Sequence, residues 1–237
     1  EQGELLFKAS NNLSEEINAT VARINDSKES VFGELRVTTT TGFGTLWLAP
    51  RLKRLYEKHP RIQINLMLEE RLLNLSMREA DVAIRLQPPS QADLIQRKLF
   101  SIRVHFFATK DYISKRGLPN NIDELSSNHR LICYDPDSNQ ISAAKRFIAP
   151  FLTKKNFSLL LLNNYYGIFR AVRNGLGVGT LPDYLAMDFP ELVQVLPEFQ
   201  SEVVPIYIAY PQELKKSKRL SAFKDFIIDE LKQNKEK

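Results

Sequence analysis

The chain has 237 residues, which is long enough for one large domain or two small ones, and its 43% hydrophobic and 26% charged residues are ordinary for a globular protein. No apolar run approaches the roughly 18 residues needed to span a bilayer, and the start of the chain has no secretory signal. The net charge is +5, but the basic residues are scattered along the chain, which does not support a direct nucleic-acid surface.

The one cysteine, Cys133, excludes an internal disulfide and fits a reducing compartment, so we expect a cytoplasmic protein. Residues 131–134 have the composition of a buried strand, which favours a structural thiol, but a reactive thiol beside His129 is the alternative. The three histidines are far apart and have no metal-ligand spacing, so no metal site is predicted.

Residues 4–26 have the seven-residue repeat of a helix that pairs with another helix. The repeat is interrupted by polar residues, and a helix that packs on its own domain is the alternative. The predicted dimerisation residues are Leu6, Leu13, Ile17 and Ile24.

A strand is expected at 34–38, because Leu35 and Val37 alternate with charged residues, and a helix is expected from about Leu48. Four threonines and two glycines lie between them, at 38–44. The first N–H groups of a helix have no partner within the helix, so this turn can hold an anion or a small polar ligand. Alternatively, the threonines only cap the helix.

Strands at 61–68 and 81–86, with a short helix at 72–79 between them, complete a strand–helix–strand–helix–strand unit, which is typical of a parallel α/β sheet. Ligands bind outside the carboxyl ends of such strands. Both the 39–41 turn and Arg85 follow strand ends, which favours a binding role for Thr39, Thr40, Thr41 and Arg85.

A second unit follows one long strand predicted at 99–108. It has a strand at 131–134, a mostly irregular stretch at 135–149, and a strand at 157–162 that leads into a helix at 165–174. Polar residues again stand where the strand enters the helix: Asn164, Tyr165 and Tyr166. Two such units facing each other would form a cleft.

No motif of enzymatic chemistry is present. The glycine-rich run at 175–179 follows a helix and opens a strand, whereas a phosphate-binding loop needs the reverse order. Glu69 and Glu70 are adjacent and would point to opposite faces of a strand, so we interpret 69–71 as a solvated loop. We expect neither an enzyme nor a cofactor.

Several short motifs, in their order along the chain, resemble LysR-type transcriptional regulators. They are Gly-Glu-Leu-Arg-Val-Thr at 33–38, Gly-Phe-Gly at 42–44, Leu-Ala-Pro at 48–50, Tyr-Glu-Lys-His-Pro at 56–60, Ala-Asp-Val-Ala-Ile-Arg at 80–85 and Gly-Leu-Gly-Val-Gly-Thr-Leu-Pro-Asp-Tyr-Leu at 175–185. The runs at 74–78 and 93–100 further resemble the LsrB-like regulators of alphaproteobacteria.

The resemblance implies an α/β fold of two Rossmann-like lobes, with the type II architecture of periplasmic binding proteins, after a long linker helix. The linker and dimerisation helix would occupy 1–32. Lobe one would comprise 33–102 and 210–237, and lobe two 103–209.

The resemblance also implies an effector-sensing regulatory domain that binds a small, often anionic molecule in the interlobe cleft. The threonine turn and Arg85 would meet the polar helix start at 164–166. Homodimers or homotetramers would bind promoter DNA through an N-terminal winged helix-turn-helix that precedes Glu1. Redox-sensing members use cysteines, which leaves an oxidised thiol or a mixed disulfide at Cys133 open. The alternative function is a transporter's solute-binding protein of the same fold.

Overall fold

The computed structural model describes residues 31–87, 93–136, 142–152 and 158–233, together with the separate positions 3, 10, 13 and 17. These residues form two five-stranded sheets flanked by helices, which confirms the predicted two-lobed α/β fold. We call the part built on the first sheet lobe one and the part built on the second sheet lobe two.

Lobe one begins with the strand–helix–strand unit that the sequence predicts. A continuous helix, α1 at 41–58, follows the first strand and contains a π-helical turn at Gly44–Leu48. The strands of this part are β1 (Gly33–Thr39), β2 (Ile62–Leu68), β3 (Val82–Arg85) and β4 (Leu94–Ile102).

Lobe two has the same plan, and the chain then returns to lobe one. Its elements are β5 (Val104–Thr109), α2 (Lys110–Arg116), α3 (Ile122–Asn128), β6 (Arg130–Tyr134), α4 (Ser142–Leu152), β7 (Ser158–Leu162), α5 (Tyr165–Arg173), β8 (Val178–Pro182), α6 (Tyr184–Asp188) and β9 (Leu192–Gln200). The return consists of β10 (Val204–Pro211), a 3-10 turn at Gln212–Lys216 and α7 (Lys218–Gln233).

The strand orders are β2-β1-β3-β10-β4 in the first sheet and β7-β6-β8-β5-β9 in the second. In the first sheet β1 lies between β2 and β3 and is parallel to both. In the second, β6 is parallel to β7 and β8 in the same way. The carboxyl ends of β1, β2 and β3 therefore meet at one edge, as do those of β6, β7 and β8.

The prediction of a single strand over 99–108 is wrong, because the chain crosses between the lobes at Arg103. Its backbone N–H donates to Asp183 Oδ2 at 3.0 Å, and its guanidinium donates to the Ser201 carbonyl at 2.9 Å. The second crossing lies before Val204, not at residue 210, since β10 pairs with β3 and β4 of lobe one. Alternation of side chains alone does not reveal a change of sheet.

The regular α-helical part of α1 begins at Ala49, close to the predicted start near Leu48, after the short turn Thr41–Phe43 and the π-helical turn. Two other local predictions are wrong. Residues 72–79 form turns, in which Asn74 Oδ1 accepts the Met77 N–H at 3.1 Å and replaces a helical hydrogen bond. The helix at Ser142–Leu152 lies in a stretch expected to be mostly irregular.

The largest hydrophobic cluster is continuous across both lobes. Side chains of α1 and the first sheet pack in it with Ile168 and Phe169 of α5 and with Phe223 of α7. An ion pair at 2.8 Å between Arg51 of α1 and Asp188 of α6 joins the lobes on the outside. Closure of the lobes thus buries apolar surface, which is the main favourable contribution to such contacts.

The glycine-rich run at 175–179 is a turn followed by a packed strand, as the sequence predicts. Gly175 has a φ of +70° after the end of α5. An added Cβ at Gly177 would overlap the Arg130 carbonyl group, and one at Gly179 would overlap the Val172 side chain. These glycines are therefore required for close packing within lobe two.

We predict that Gly177→Ala lowers the free energy of unfolding by about 1–3 kcal/mol, because the added methyl group forces a shift of the Arg130 backbone. The matched control is Gly167→Ala, where the nearest atom to the added Cβ is 3.4 Å away. Chemical denaturation of both variants measures the effect. Equal stability of Gly177→Ala and the wild type would contradict the packing described above.

Candidate functional site

The N-terminal ends of α1 and α5, one from each lobe, meet at the interlobe cleft. A Cβ added to Gly42 in the first turn of α1 would lie 2.7 Å from the Cβ of Tyr165, the first residue of α5. Only glycine permits this approach. The close contact brings the two polar turns that the sequence predicts to be binding elements to the same place.

A small cavity lies between these helix starts. Thr39, Thr40 and Arg85 of lobe one line it together with Tyr165 and Tyr184 of lobe two. Its free volume of about 10 Å³ holds about one water molecule. The cleft is thus closed, and a ligand larger than water requires the lobes to separate.

The threonines of the turn have different environments. Thr38 Oγ1 accepts a hydrogen bond from Arg85 Nη2 at 2.6 Å. Thr39 is fully buried, and its Oγ1 has no hydrogen-bond partner in the part of the chain that the structure describes. Thr40 stands at the N-cap position but its side chain makes no capping bond. The Oγ1 atoms of Thr39 and Thr40 therefore do not cap α1, which disfavours the purely structural interpretation of this turn.

Arg85 is only 4% exposed and connects three segments at the carboxyl edge of the first sheet. Besides Thr38, it donates to the carbonyl oxygens of Glu69 and Arg71. Within the described part of the chain it forms no ion pair. Burial lowers the pKa of Arg85 to about 10, and the carboxylates of Glu70 and Glu69 offset part of that effect. Arg85, a residue that lines the cavity, therefore carries a buried positive charge whose direct partners among the described residues are neutral.

Glu70, which the sequence assigned to a solvated loop, lies at the cleft instead. Its Oε1 accepts the Thr41 N–H at 2.9 Å, and its Oε2 accepts the Tyr134 hydroxyl at 3.3 Å. The signal that could have identified it is its place two residues after the end of β2, because Leu68 of β2 pairs directly with Thr39. A carboxylate there lies beside the first turn of α1.

The three predicted residues of lobe two also differ in role. Asn164 caps α5, since its Oδ1 accepts the Gly167 N–H at 2.7 Å. Tyr165 is buried, and its hydroxyl has no hydrogen-bond partner within the described residues. Burial raises the pKa of Tyr165 well above the ordinary value, so the group stays protonated. Tyr166 is half-buried and packs on the main hydrophobic cluster. Tyr165 alone of the three lines the cavity.

Cys133 is fully buried among Leu125, Leu131 and other apolar residues of lobe two. Burial raises the pKa of its thiol to about 12, and the nearby Asp135 adds to the effect. The thiolate is the reactive form of cysteine. Both observations disfavour the redox role that the resemblance left open.

Of the predicted dimerisation residues, Leu13 and Ile17 are helical and are 63% and 62% exposed. Leu6 and Ile24 lie outside the described residues. Among the described residues, no three His, Cys, Asp or Glu side chains are grouped so that they could hold a metal ion. No helix in that part of the chain has the length and hydrophobicity needed to cross a membrane.

We predict that native Cys133 reacts with a thiol reagent at pH 7 at least about 100-fold more slowly than the unfolded chain, because reaction requires an opening of lobe two. Ellman's reagent measures both rates, in buffer and in guanidinium chloride. A native rate near that of the unfolded chain would contradict the buried, protonated thiol.

Comparison with known proteins shows the family. Residues 28–232 match the LysR substrate binding domain. An uncharacterised HTH-type transcriptional regulator of Haemophilus influenzae is 25% identical over 89% of this chain and 74% of its own length. The HTH-type transcriptional regulator CrgA of Neisseria meningitidis is 27% identical over 99% of this chain and 79% of its own length.

The solved regulatory domain of CrgA superposes with a TM-score of 0.70 at 23% identity, covering 85% of this chain and all of that domain, so the two share a fold. These relatives are transcriptional regulators and not enzymes, which confirms the predicted class and favours it over a transporter's solute-binding protein. The chain belongs to the LysR substrate-binding domain family, the effector-binding part of LysR-type transcriptional regulators.

Proposed function

We propose that this effector-binding domain takes a small anionic molecule in the interlobe cleft, between the starts of α1 and α5. The observation that carries the proposal is a pair of hydroxyl groups, Thr39 Oγ1 and Tyr165 Oη. They come from opposite lobes, belong to residues that line the same cavity, and are buried with no hydrogen-bond partner among the described residues. A buried polar group without a partner is costly, so a ligand that bonds to both would stabilise the closed form.

The charges around the cavity favour an anion. Arg85, one of the lining residues, carries a buried guanidinium whose direct contacts are neutral oxygens. The first turn of α1 adds N–H groups that have no partner within the helix, together with the positive end of the helix dipole. A carboxylate or a sulfate would offset the cost of burying Arg85.

Regulation would follow from the closed state of the cleft. Because the cavity holds about one water molecule, the effector enters an open arrangement of the lobes and changes the balance between open and closed forms. The linker helix would pass this change to the DNA-binding region, so that effector and promoter DNA are coupled. Thr40, Thr41, Asn164 and Tyr166 would complete the rim of the open site.

We further propose a cytoplasmic homodimer or homotetramer that binds promoter DNA, as expected for a regulator of this family. The support for assembly is the exposure of Leu13 and Ile17, which are one helical turn apart. The runs at 74–78 and 93–100 support membership of the LsrB-like subgroup.

Ligand binding in the cleft is tested with Thr39→Val, which replaces the unpartnered hydroxyl with a methyl group of similar size. Without ligand we expect the free energy of unfolding to stay the same or to rise by up to about 1 kcal/mol. With a carboxylate that raises the melting temperature of the wild type, we expect a much smaller rise. Tyr165→Phe should behave in the same way. Thermal melts across a panel of carboxylates and sulfate measure both effects.

The matched control is Thr38→Val, one residue earlier on the same strand. Its hydroxyl accepts a hydrogen bond from Arg85, and Thr38 is not among the residues that line the cavity. We therefore expect the free energy of unfolding of the ligand-free protein to fall by about 1–3 kcal/mol. The proposal fails if no anion in the panel shifts the wild type, or if the shift persists in Thr39→Val and Tyr165→Phe.

A separate prediction concerns assembly through the linker helix. Replacing both Leu13 and Ile17 with glutamate should dissociate the oligomer, because charges at heptad positions oppose helix pairing. Sedimentation velocity on the 237-residue chain measures the change. The matched control introduces the same two charges at Asn11 and Asn12, which lie outside the two heptad columns. Dissociation by both pairs, or by neither, would contradict helix pairing through Leu13 and Ile17.

A further inference from the structure

We propose that Glu70 is an internal competitor for the acidic group of the effector, and so a specificity-determining residue of the cleft. Its carboxylate occupies the anion position at the start of α1. This role rests on the anion site proposed above. It adds that binding has to displace a side chain of the protein itself.

The first contact is with α1. Glu70 Oε1 accepts the backbone N–H of Thr41, the first residue of that helix, at 2.9 Å. An N–H at this position is among those that the helix leaves unpaired, and it lies at the positive end of the helix dipole. A carboxylate of an effector would seek the same donor, so the two carboxylates compete for one position.

The second contact is with lobe two. Glu70 Oε2 accepts the hydroxyl of Tyr134, at the carboxyl end of β6, at 3.3 Å. The ring of Tyr134 lies 5.2 Å from that of Tyr165, which lines the cavity. One carboxylate thus joins the two lobes beside the candidate site.

The neighbouring acid does not share this arrangement. The Glu69 carboxylate lies 3.8 Å from Arg71 Nε, and the Glu69 backbone carbonyl accepts a hydrogen bond from Arg85. Glu69→Gln therefore removes the same charge from the same segment and leaves the contacts with Thr41 and Tyr134 in place. It is the matched control for Glu70→Gln.

Displacement of Glu70 would have two consequences. It frees the Thr41 N–H for the effector, and it breaks a direct hydrogen bond between the lobes at the moment of binding. Ligands with a single weak acceptor would not replace two hydrogen bonds, whereas a carboxylate or a sulfate offers several acceptors and the full charge that Arg85 attracts. The cleft would therefore discriminate against weakly accepting anions.

The binding test uses inorganic sulfate as the probe and isothermal titration calorimetry as the measurement, with chloride held constant. We expect Glu70→Gln to bind sulfate about fivefold to tenfold more tightly than the wild type, because its internal competitor has lost its charge. Glu69→Gln should bind like the wild type. Equal or weaker binding by Glu70→Gln would overturn the proposal, as would an equal gain in Glu69→Gln.

A second measurement needs no ligand. Amide hydrogen exchange at Thr41, followed by NMR, should become faster in Glu70→Ala, because the acceptor of this N–H is removed. The effect should be smaller in Tyr134→Phe, which removes only the hydroxyl that donates to Glu70. Exchange in Glu69→Gln should be unchanged. Unaltered exchange in Glu70→Ala would overturn the proposal even if that variant gains affinity for sulfate.

The two measurements also separate this inference from the proposed function. If the wild type binds sulfate through Thr39 but Glu70→Gln binds no more tightly, only the role of Glu70 is overturned. If exchange at Thr41 is faster in Glu70→Ala but neither the wild type nor any variant binds sulfate or a carboxylate, the anion site and the competitor role are both overturned.

Discussion

The buried guanidinium of Arg85 is the interaction on which the cleft depends. From the end of β3 it bonds to Thr38 on β1 and to the carbonyl oxygens of Glu69 and Arg71 after β2. Three neighbouring strand ends are thereby tied together by one side chain. The cost is a buried charge without a direct counter-ion among the described residues, and its lowered pKa reflects that cost. The tie also places Glu70 where its carboxylate can reach α1.

The second constraint is the contact between the two helix starts. Gly42 and Tyr165 touch so closely that no side chain fits between them, and the main hydrophobic cluster continues from one lobe into the other. Apolar contact and the bonds of Glu70 thus favour closure. The unpartnered hydroxyls of Thr39 and Tyr165 oppose it. A ligand that bonds to these hydroxyls removes a cost of closure. By replacing Glu70, the same ligand also removes one of the contacts that favour closure.

Sequence reasoning located the site better than it described it. The threonine turn, Arg85 and Tyr165 were found because parallel strands end at a common edge, which is a consequence of chain direction. Glu70 was missed because residues 69–71 were interpreted as a solvated loop, although its place two residues after the end of β2 puts it beside the first turn of α1. Likewise, Asn164 was correctly identified at a helix start, but its capping bond to Gly167 gives it a mainly structural role in the closed form.

The two-lobed plan came from the resemblance to LysR-type regulators, whereas local chemistry in the sequence indicated the α/β class, most strand positions, the helix cap at Asn164 and the burial of Cys133. These depend on side-chain periodicity, on turn preferences and on hydrophobicity, which act over a few residues. Side-chain alternation did not reveal that residues 99–108 divide between two sheets at Arg103, although the family resemblance placed a lobe boundary between residues 102 and 103. Tertiary structure alone decided that β10 returns to lobe one before residue 210 and that Glu70 bridges the lobes. Each of these depends on contacts between residues far apart in the chain, such as Arg103 with Asp183 and Glu70 with Tyr134. No local pattern encodes such contacts, because they exist only when both lobes have formed.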